Sequence, residues 1–175
     1  TQPIAIAFVD LMKLERLMHP VYTRILPRMN PGAVLIHQDF VNQWLPYIHY
    51  SMGFLSKYFK VVSVTPYGSS VVHEMISQVP QADLDMLAQL PGQPIEKLVQ
   101  LFDSAVCEVL KLHLVHWIRY LCDARANLQR TKGGQITSCP WWDSSRHNAH
   151  TGYYEKPLTF KQAQSVRTQA ADNKI

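Results

Sequence analysis

The sequence is short of cysteine, has no run of like charge and has no long apolar stretch, and each shortage excludes something. Only three cysteines occur in 175 residues: Cys107, Cys122 and Cys139. They are widely spaced and odd in number, which fits a reducing compartment better than a disulfide scaffold or a zinc site. No block of five like charges occurs, and the formal net charge is only +4. The clustered Lys and Arg of a nucleic-acid-binding surface are therefore missing. No apolar run approaches the length of about 18 residues that a membrane span requires. A signal peptide is not expected either, because the chain opens directly on a strand-like run. Internal repeats are absent. The expectation is a cytoplasmic globular protein with no nucleic-acid and no membrane partner. Its hydrophobic fraction of 47% is ample for a core.

What is present is an alternation of strand and helix patterns. The stretch Asn30 to Phe40, NPGAVLIHQDF, is a turn followed by an apolar run that ends on an acid. Ile4 to Asp10, IAIAFVD, has the same design. Both runs are apolar on both faces, as parallel strands covered by helices on two sides are. Between them Leu14, Leu17, Met18, Val21, Ile25 and Met29 recur at helical spacing, with Pro20 expected to kink or split the helix near His19. Strand, helix and strand within this length make a right-handed βαβ unit. A second helix is expected over Trp44 to Tyr58. Strands at Lys60 to Tyr67 and Ser69 to Met75 follow, joined by a turn at Gly68 so short that they must be antiparallel.

Beyond Pro80 the pattern becomes helical. Ala82 to Leu90 is a short helix, and Ile95 to Leu128 is one long helix or two, with a break near His113. From Thr131 to Ile175 periodicity is lost, and a partly disordered tail is expected. Three regions result: an α/β unit over 1–79, a helical extension over 80–130 and an irregular tail over 131–175. So close an approach of the first residue to a buried strand suggests the C-terminal part of a longer α/β protein.

The chemistry concentrates at the two strand ends. Asp10 is followed three residues later by Lys13, and Asp39 closes the second run. Adjacent strands would bring the two acids to about 5 Å at the backbone. Two carboxylates that close repel unless a cation, a proton or a partner intervenes, and Mg2+ or Lys13 would serve as the cation. Lys13 is also a candidate base, although the acids oppose the pKa depression this requires. Asp10 equally suits the N-cap of the following helix. His37, two residues before Asp39, suits a packed or hydrogen-bonded histidine better than a ligand, although with Trp44 and Tyr47 it could line a substrate pocket; Trp44 and Tyr47 equally suit the start of the next helix's buried stripe. His49 could approach the crevice or equally lie on a solvated face; the His113 and His116 pair is a weaker candidate, because no Asp, Glu or Cys completes a ligand set, and His147 and His150 are weaker still.

FVDLMK, the PGAVLIHQDF strand and the KVVSVTPYGSSVVHEM hairpin together resemble the C-terminal half of a class I S-adenosylmethionine-dependent methyltransferase. The likeness covers roughly residues 4 to 76 and is closest to the catechol-type and macrocin-type O-methyltransferases. The resemblance implies a Rossmann-like sheet of parallel strands ending in an antiparallel hairpin. It implies Asp10 and Asp39 as metal ligands, Lys13 as the catalytic lysine, S-adenosylmethionine as cofactor and Mg2+ as a possible second one. The activity implied is O-methyl transfer to the hydroxyl of a small-molecule acceptor. Phe40 stands where the metal-dependent members carry Asn, and Asn42 is two residues away. The family's cofactor site lies mostly in an N-terminal half, on a Gly-rich loop that these residues do not supply, so the chain alone is expected to be inactive. The alternative function is a non-catalytic scaffold that forms a homo-oligomer or pairs through its first strand.

Overall fold

The computed structural model describes residues 2–65, 69–112, 118–137 and 139–140. The chain is α/β, with a mixed four-stranded sheet and five α-helices among these residues. Strand β1 is Ile4–Val9, helix α1 is Glu15–Ile25 and strand β2 is Met29–His37. Then come α2 (Pro46–Phe54), β3 (Phe59–Val64) and β4 (Val71–Met75). Helices α3 (Gln81–Leu87), α4 (Ile95–Leu110) and α5 (Ile118–Thr131) complete the order.

The sheet order is β1-β2-β4-β3. β1 and β2 are parallel, and β4 is antiparallel to both β2 and β3. The expected βαβ unit and hairpin are both present, and the hairpin is inserted so that its second strand meets β2. Residues 66–68, which include the hairpin turn, lie outside the described set.

Local chemistry sets the element boundaries. Pro20 does not split α1, which runs through it to Ile25 and tightens into a 3-10 turn at Leu26–Arg28. Five residues precede Pro20 in α1, so a single lost backbone bond is carried by the turns on either side. The helix after the acid loop starts at Pro46 rather than Trp44, because Pro46 suits the first turn, where its missing N–H is not needed. The expected long helix is two, α4 ending at Leu110, and residues 113–117 (with His113 and His116) lie outside the described set. The tail beyond residue 140, including His147 and His150, lies outside it as well.

One expectation about the sheet is corrected. Ala7, Val9, Ala33, Leu35, His37, Val71, His73 and Met75 are buried. Their alternating neighbours are not: Ile6 is 68% and Phe8 57% exposed, and Val34, Ile36 and Val72 are only half covered. The helices therefore lie against one face of the sheet, and among the described residues nothing covers the other. Apolar residues on both faces showed that the strands are suited to two-sided cover, not that this chain provides it.

A single hydrophobic core joins the sheet to the helical region, running from Ala7 and Leu35 through Ile48 and Phe102 to Leu128. α2 and α4 cross closely at Gly53, where a Cβ would meet the Leu101 carbonyl oxygen at 1.9 Å. Any side chain at 53 would force the helices apart. Arg125 on α5 donates to both carboxylate oxygens of Asp103 on α4, at 2.9 and 3.3 Å.

The cysteine reading is also corrected. Cys122 and Cys139 form a disulfide with their Cα atoms 5.5 Å apart, and Cys107 takes no part in it. After α5 the chain doubles back past Gly133 and Gly134, where Gly133 takes a positive φ of 72°. Sequence spacing carries no sign of that reversal, so the two cysteines looked unrelated. No described helix is long and apolar enough to cross a membrane.

Candidate functional site at the carboxyl edge of the sheet

The parallel pairing of β1 with β2 places both strand ends at one edge of the sheet. Phe8 registers with Ile36 and Val9 with His37. The Gln38 amide extends the ladder by donating to the Val9 carbonyl at 3.1 Å. Asp10 then leaves β1 directly. Asp39 lies two residues beyond β2 rather than at its last position, in a turn where its φ is +59°. Asp tolerates this left-handed conformation better than most residues. The turn is anchored from the hairpin by Ser69. Its hydroxyl accepts from the Asp39 amide at 3.3 Å, and its carbonyl accepts from the Phe40 amide at 2.9 Å.

Lys13 joins the two acids. Its Nζ donates to Asp10 Oδ1 at 2.6 Å and also to Asp39 Oδ2. The expected trio of Asp10, Lys13 and Asp39 is therefore assembled, with an ammonium between two carboxylates. The hydrogen bond to Asp10, then that to Asp39, raises the Lys13 pKa above its ordinary value. Lys13 is a cation at neutral pH, not a base. The site is open: about half of the Lys13 and Asp10 side chains is exposed.

The loop that carries Lys13 is held from beneath. Met12 is buried, and its carbonyl accepts from the Tyr47 hydroxyl at 2.8 Å. Tyr50 donates to Glu15 Oε1 at 2.6 Å, and Lys132 reaches the same carboxylate at 2.9 Å. From the far side Asn127 on α5 donates to the Gln43 carbonyl at 2.9 Å, which fixes the loop running on from Asp39. The helical region thus braces both loops of the site. Sequence reasoning missed Ser69, Glu15 and Asn127. Their spacing from the acids along the chain gives no signal, because each acts across a tertiary contact.

The three candidate pocket residues divide. Trp44 is 68% exposed on the loop beyond Asp39 and is free to flank a ligand. Tyr47 is buried and serves as the brace just described, with its pKa raised by burial. His37 is not a pocket wall. It sits on the helix-covered face, fully buried, with Nε2 3.0 Å from the Tyr22 hydroxyl and its ring edge-on to His73. His49 is buried nearby, stacked on Phe102 and tilted against Phe40. Burial holds the pKa of His37 well below its ordinary range, brings that of His73 to about 4 and that of His49 to about 3. All three are neutral at physiological pH. Phe40, the departure from the metal-dependent pattern, is a fully buried member of this cluster.

A divalent metal does not fit the described arrangement. Asp10 and Asp39 supply two carboxylates, no third His, Cys, Asp or Glu joins them in a ligand group among the described residues, and the Lys13 ammonium lies on both acids. As it stands, the site can donate a hydrogen bond from a cation to an anionic or hydroxyl oxygen, and can accept a proton on either carboxylate. Comparison of the chain with models of known protein families, with curated proteins and with solved structures found no match.

Proposed function

We propose that this chain is the acceptor-binding half of an S-adenosylmethionine-dependent O-methyltransferase that acts on a hydroxyl of a small molecule. The observation that carries the proposal is the convergence of Asp10, Lys13 and Asp39 at the carboxyl edge of a parallel strand pair. Ligands of open α/β sheets bind at such an edge. The sheet order supports the same reading, since a reversed strand beside the last parallel ones is the arrangement the resembled family has.

The Lys13 ammonium would hold the acceptor oxygen and stabilise negative charge as it develops there. A carboxylate, Asp10 or Asp39, would take the hydroxyl proton. Trp44 would supply an apolar wall. The raised pKa of Lys13 favours this division of roles over one in which the lysine is the base. S-adenosylmethionine would supply the methyl group, but the described residues do not fit it. The turns after β1 and β2 (residues 10–14 and 38–45) contain no glycine that would let a backbone approach a cofactor closely. The cofactor site therefore has to be completed by residues outside these turns.

The test is calorimetric titration of S-adenosylmethionine into the longest natural polypeptide that contains this chain, followed by assay against a panel of phenols and sugars. Saturable binding is expected. Lys13→Met should leave that affinity intact and lower methyl transfer by roughly 100-fold, as loss of one oxyanion donor does. Absence of cofactor binding overturns the proposal. The second reading, a non-catalytic interaction module, is favoured by one observation, the uncovered apolar face around Ile6 and Phe8.

A further inference from the structure

The Lys13 ammonium has three N–H donors. One goes to Asp10 Oδ1 at 2.6 Å and one to Asp39 Oδ2. Among the described residues no acceptor takes the third, and the side chain is half exposed, so that N–H is left to water or a ligand. Each acid likewise keeps one oxygen, Asp10 Oδ2 and Asp39 Oδ1, with no hydrogen-bond partner among the described residues. The other oxygens along these loops are engaged. Asn42 Oδ1 accepts from the Trp44 amide at 2.9 Å, and the Ser69 hydroxyl accepts from the Asp39 amide at 3.3 Å. Phe40, next along from Asp39, is fully buried and offers no ligand atom. The backbone also keeps the ammonium where it is. The Lys13 amide donates to the Leu11 carbonyl at 2.9 Å, and the Met12 carbonyl accepts from Tyr47 at 2.8 Å. A divalent ion entering between the acids would have to displace a cation that the chain holds beside them at high effective concentration. Entering without displacing it would put two positive centres in the space of one.

We infer that Lys13 takes the place of a divalent ion between Asp10 and Asp39, and that the site accordingly binds one neutral hydroxyl rather than a vicinal pair. Two carboxylates and one ammonium leave one net negative charge, which disfavours an anionic ligand. The donor count sets the rest of the class. A divalent ion held by two carboxylates keeps further coordination positions, and two adjacent hydroxyls of one molecule can fill two of them. An ammonium with one N–H left holds one oxygen. A hydroxyl oxygen placed there accepts from Lys13 and donates its own hydrogen to the unpartnered oxygen of Asp10 or Asp39. A second hydroxyl beside it finds no second N–H on Lys13. The ligand class is therefore a neutral alcohol or phenol recognised through a single hydroxyl. The exclusion of a divalent ion stands without the methyl-transfer proposal, whereas the role of that hydroxyl as methyl acceptor rests on it.

The test is a Mn2+ titration of the chain followed by NMR. Mn2+ takes the same oxygen ligands as Mg2+ and broadens the signals of nuclei near it. The Asp10 and Asp39 amides report on the site itself, apart from any ion bound elsewhere. In Lys13→Met the two carboxylates lose their internal cation, and the Mn2+ concentration that half-broadens those amides should fall about tenfold below that of the native chain. The substitution removes only a half-exposed pair, so the circular dichroism spectrum should stay native. A midpoint that is unchanged or higher in Lys13→Met overturns the inference, because the lysine is then no obstacle to the ion. The second arm assays the longest natural polypeptide that contains the chain, with EDTA present, against phenol and catechol. The two acceptors should agree within about threefold in kcat/KM, and EDTA should leave both rates unchanged. A larger preference for catechol, or a rate lost to EDTA and restored by Mg2+, overturns the inference as well. A polypeptide that binds no S-adenosylmethionine overturns the methyl-transfer proposal alone, and the Mn2+ midpoints then decide between lysine and metal.

Discussion

Asp39 and His37 are two residues apart, yet they belong to polar clusters of opposite character. Asp39 shares the Lys13 ammonium with Asp10 at an open edge, where water reaches and screens Lys13 and Asp10 most. His37 shares the inside of the sheet with His73 and His49, where none of the three is charged. The turn at Asp39, with its positive φ, is what carries the chain from one setting to the other. The contrast shows that burial decides which side chains can carry charge, and therefore chemistry. The open cluster costs the fold little to keep and is free to meet a ligand. The closed one contributes to the fold and meets none.

Acid should break this contrast first. Each of the three histidines has a pKa lower in the folded chain than the ordinary 6.5, so the unfolded chain binds more protons below that pH. Stability is then fully present above about pH 6.5 and falls as pH drops. The decline stops only near the folded values, about 4 for His73 and about 3 for His49. The loss is about 1.4 kcal/mol per histidine per pH unit, on the order of 4 kcal/mol per unit for all three. Urea unfolding at pH 7, 6 and 5 measures it, and an absence of slope would refute the buried assignment. His49→Phe sharpens the test. Among the described residues neither ring nitrogen of His49 makes a hydrogen bond of normal geometry, although backbone groups of Leu45, Phe40 and Pro46 lie close enough to favour its charged form. A phenyl ring should therefore hold or raise stability at pH 7 and remove about a third of the acid slope.

Cavity formation comes next. Phe102 is fully buried against His49, and Phe102→Ala should cost about 3–5 kcal/mol. Chemical denaturation at pH 7.5 isolates that loss from histidine titration. Tyr47→Phe removes the bond to the Met12 carbonyl, and about 1 kcal/mol of stability should go with it. Its larger effect should be on the site, since the Lys13 loop loses its brace. The smallest stability effect is expected from Lys13→Met. The pair it forms with Asp10 is half exposed, and such pairs contribute within about 1 kcal/mol. Thermal melts of Lys13→Met and Phe102→Ala side by side would show the two clusters differing as described.

The open cluster was legible in the sequence and the closed one was not. Asp10, Lys13 and Asp39 follow from two apolar runs ending in acids, because parallel neighbours must end at the same edge. The hairpin at the end of the α/β unit was legible for a similar local reason. His37 was read toward the crevice because it shares a strand side with Asp39. Its packed, hydrogen-bonded reading agrees with the structure, and its pocket reading does not, because the strand ends at His37 and the backbone turns before Asp39. The one-sided cover of the sheet, the Cys122–Cys139 disulfide and the bracing residues Ser69 and Asn127 all depend on contacts between distant parts of the chain. Periodicity reports which face of an element is apolar. It does not report what comes to lie on that face.

The placement of β4 between β2 and β3 also governs how the chain can acquire its structure. β2 is complete at His37, but its second neighbour comes from the far side of the hairpin, with Val34 meeting Glu74 and His37 meeting Val71. During synthesis β2 must wait with one side unsatisfied until Met75 has been made. Hairpins close in microseconds, and contacts of longer sequence separation form later. The β3–β4 hairpin should therefore form as a unit and dock onto β2 in one step. The Asp39 turn gains its anchor from Ser69 only once that docking has taken place.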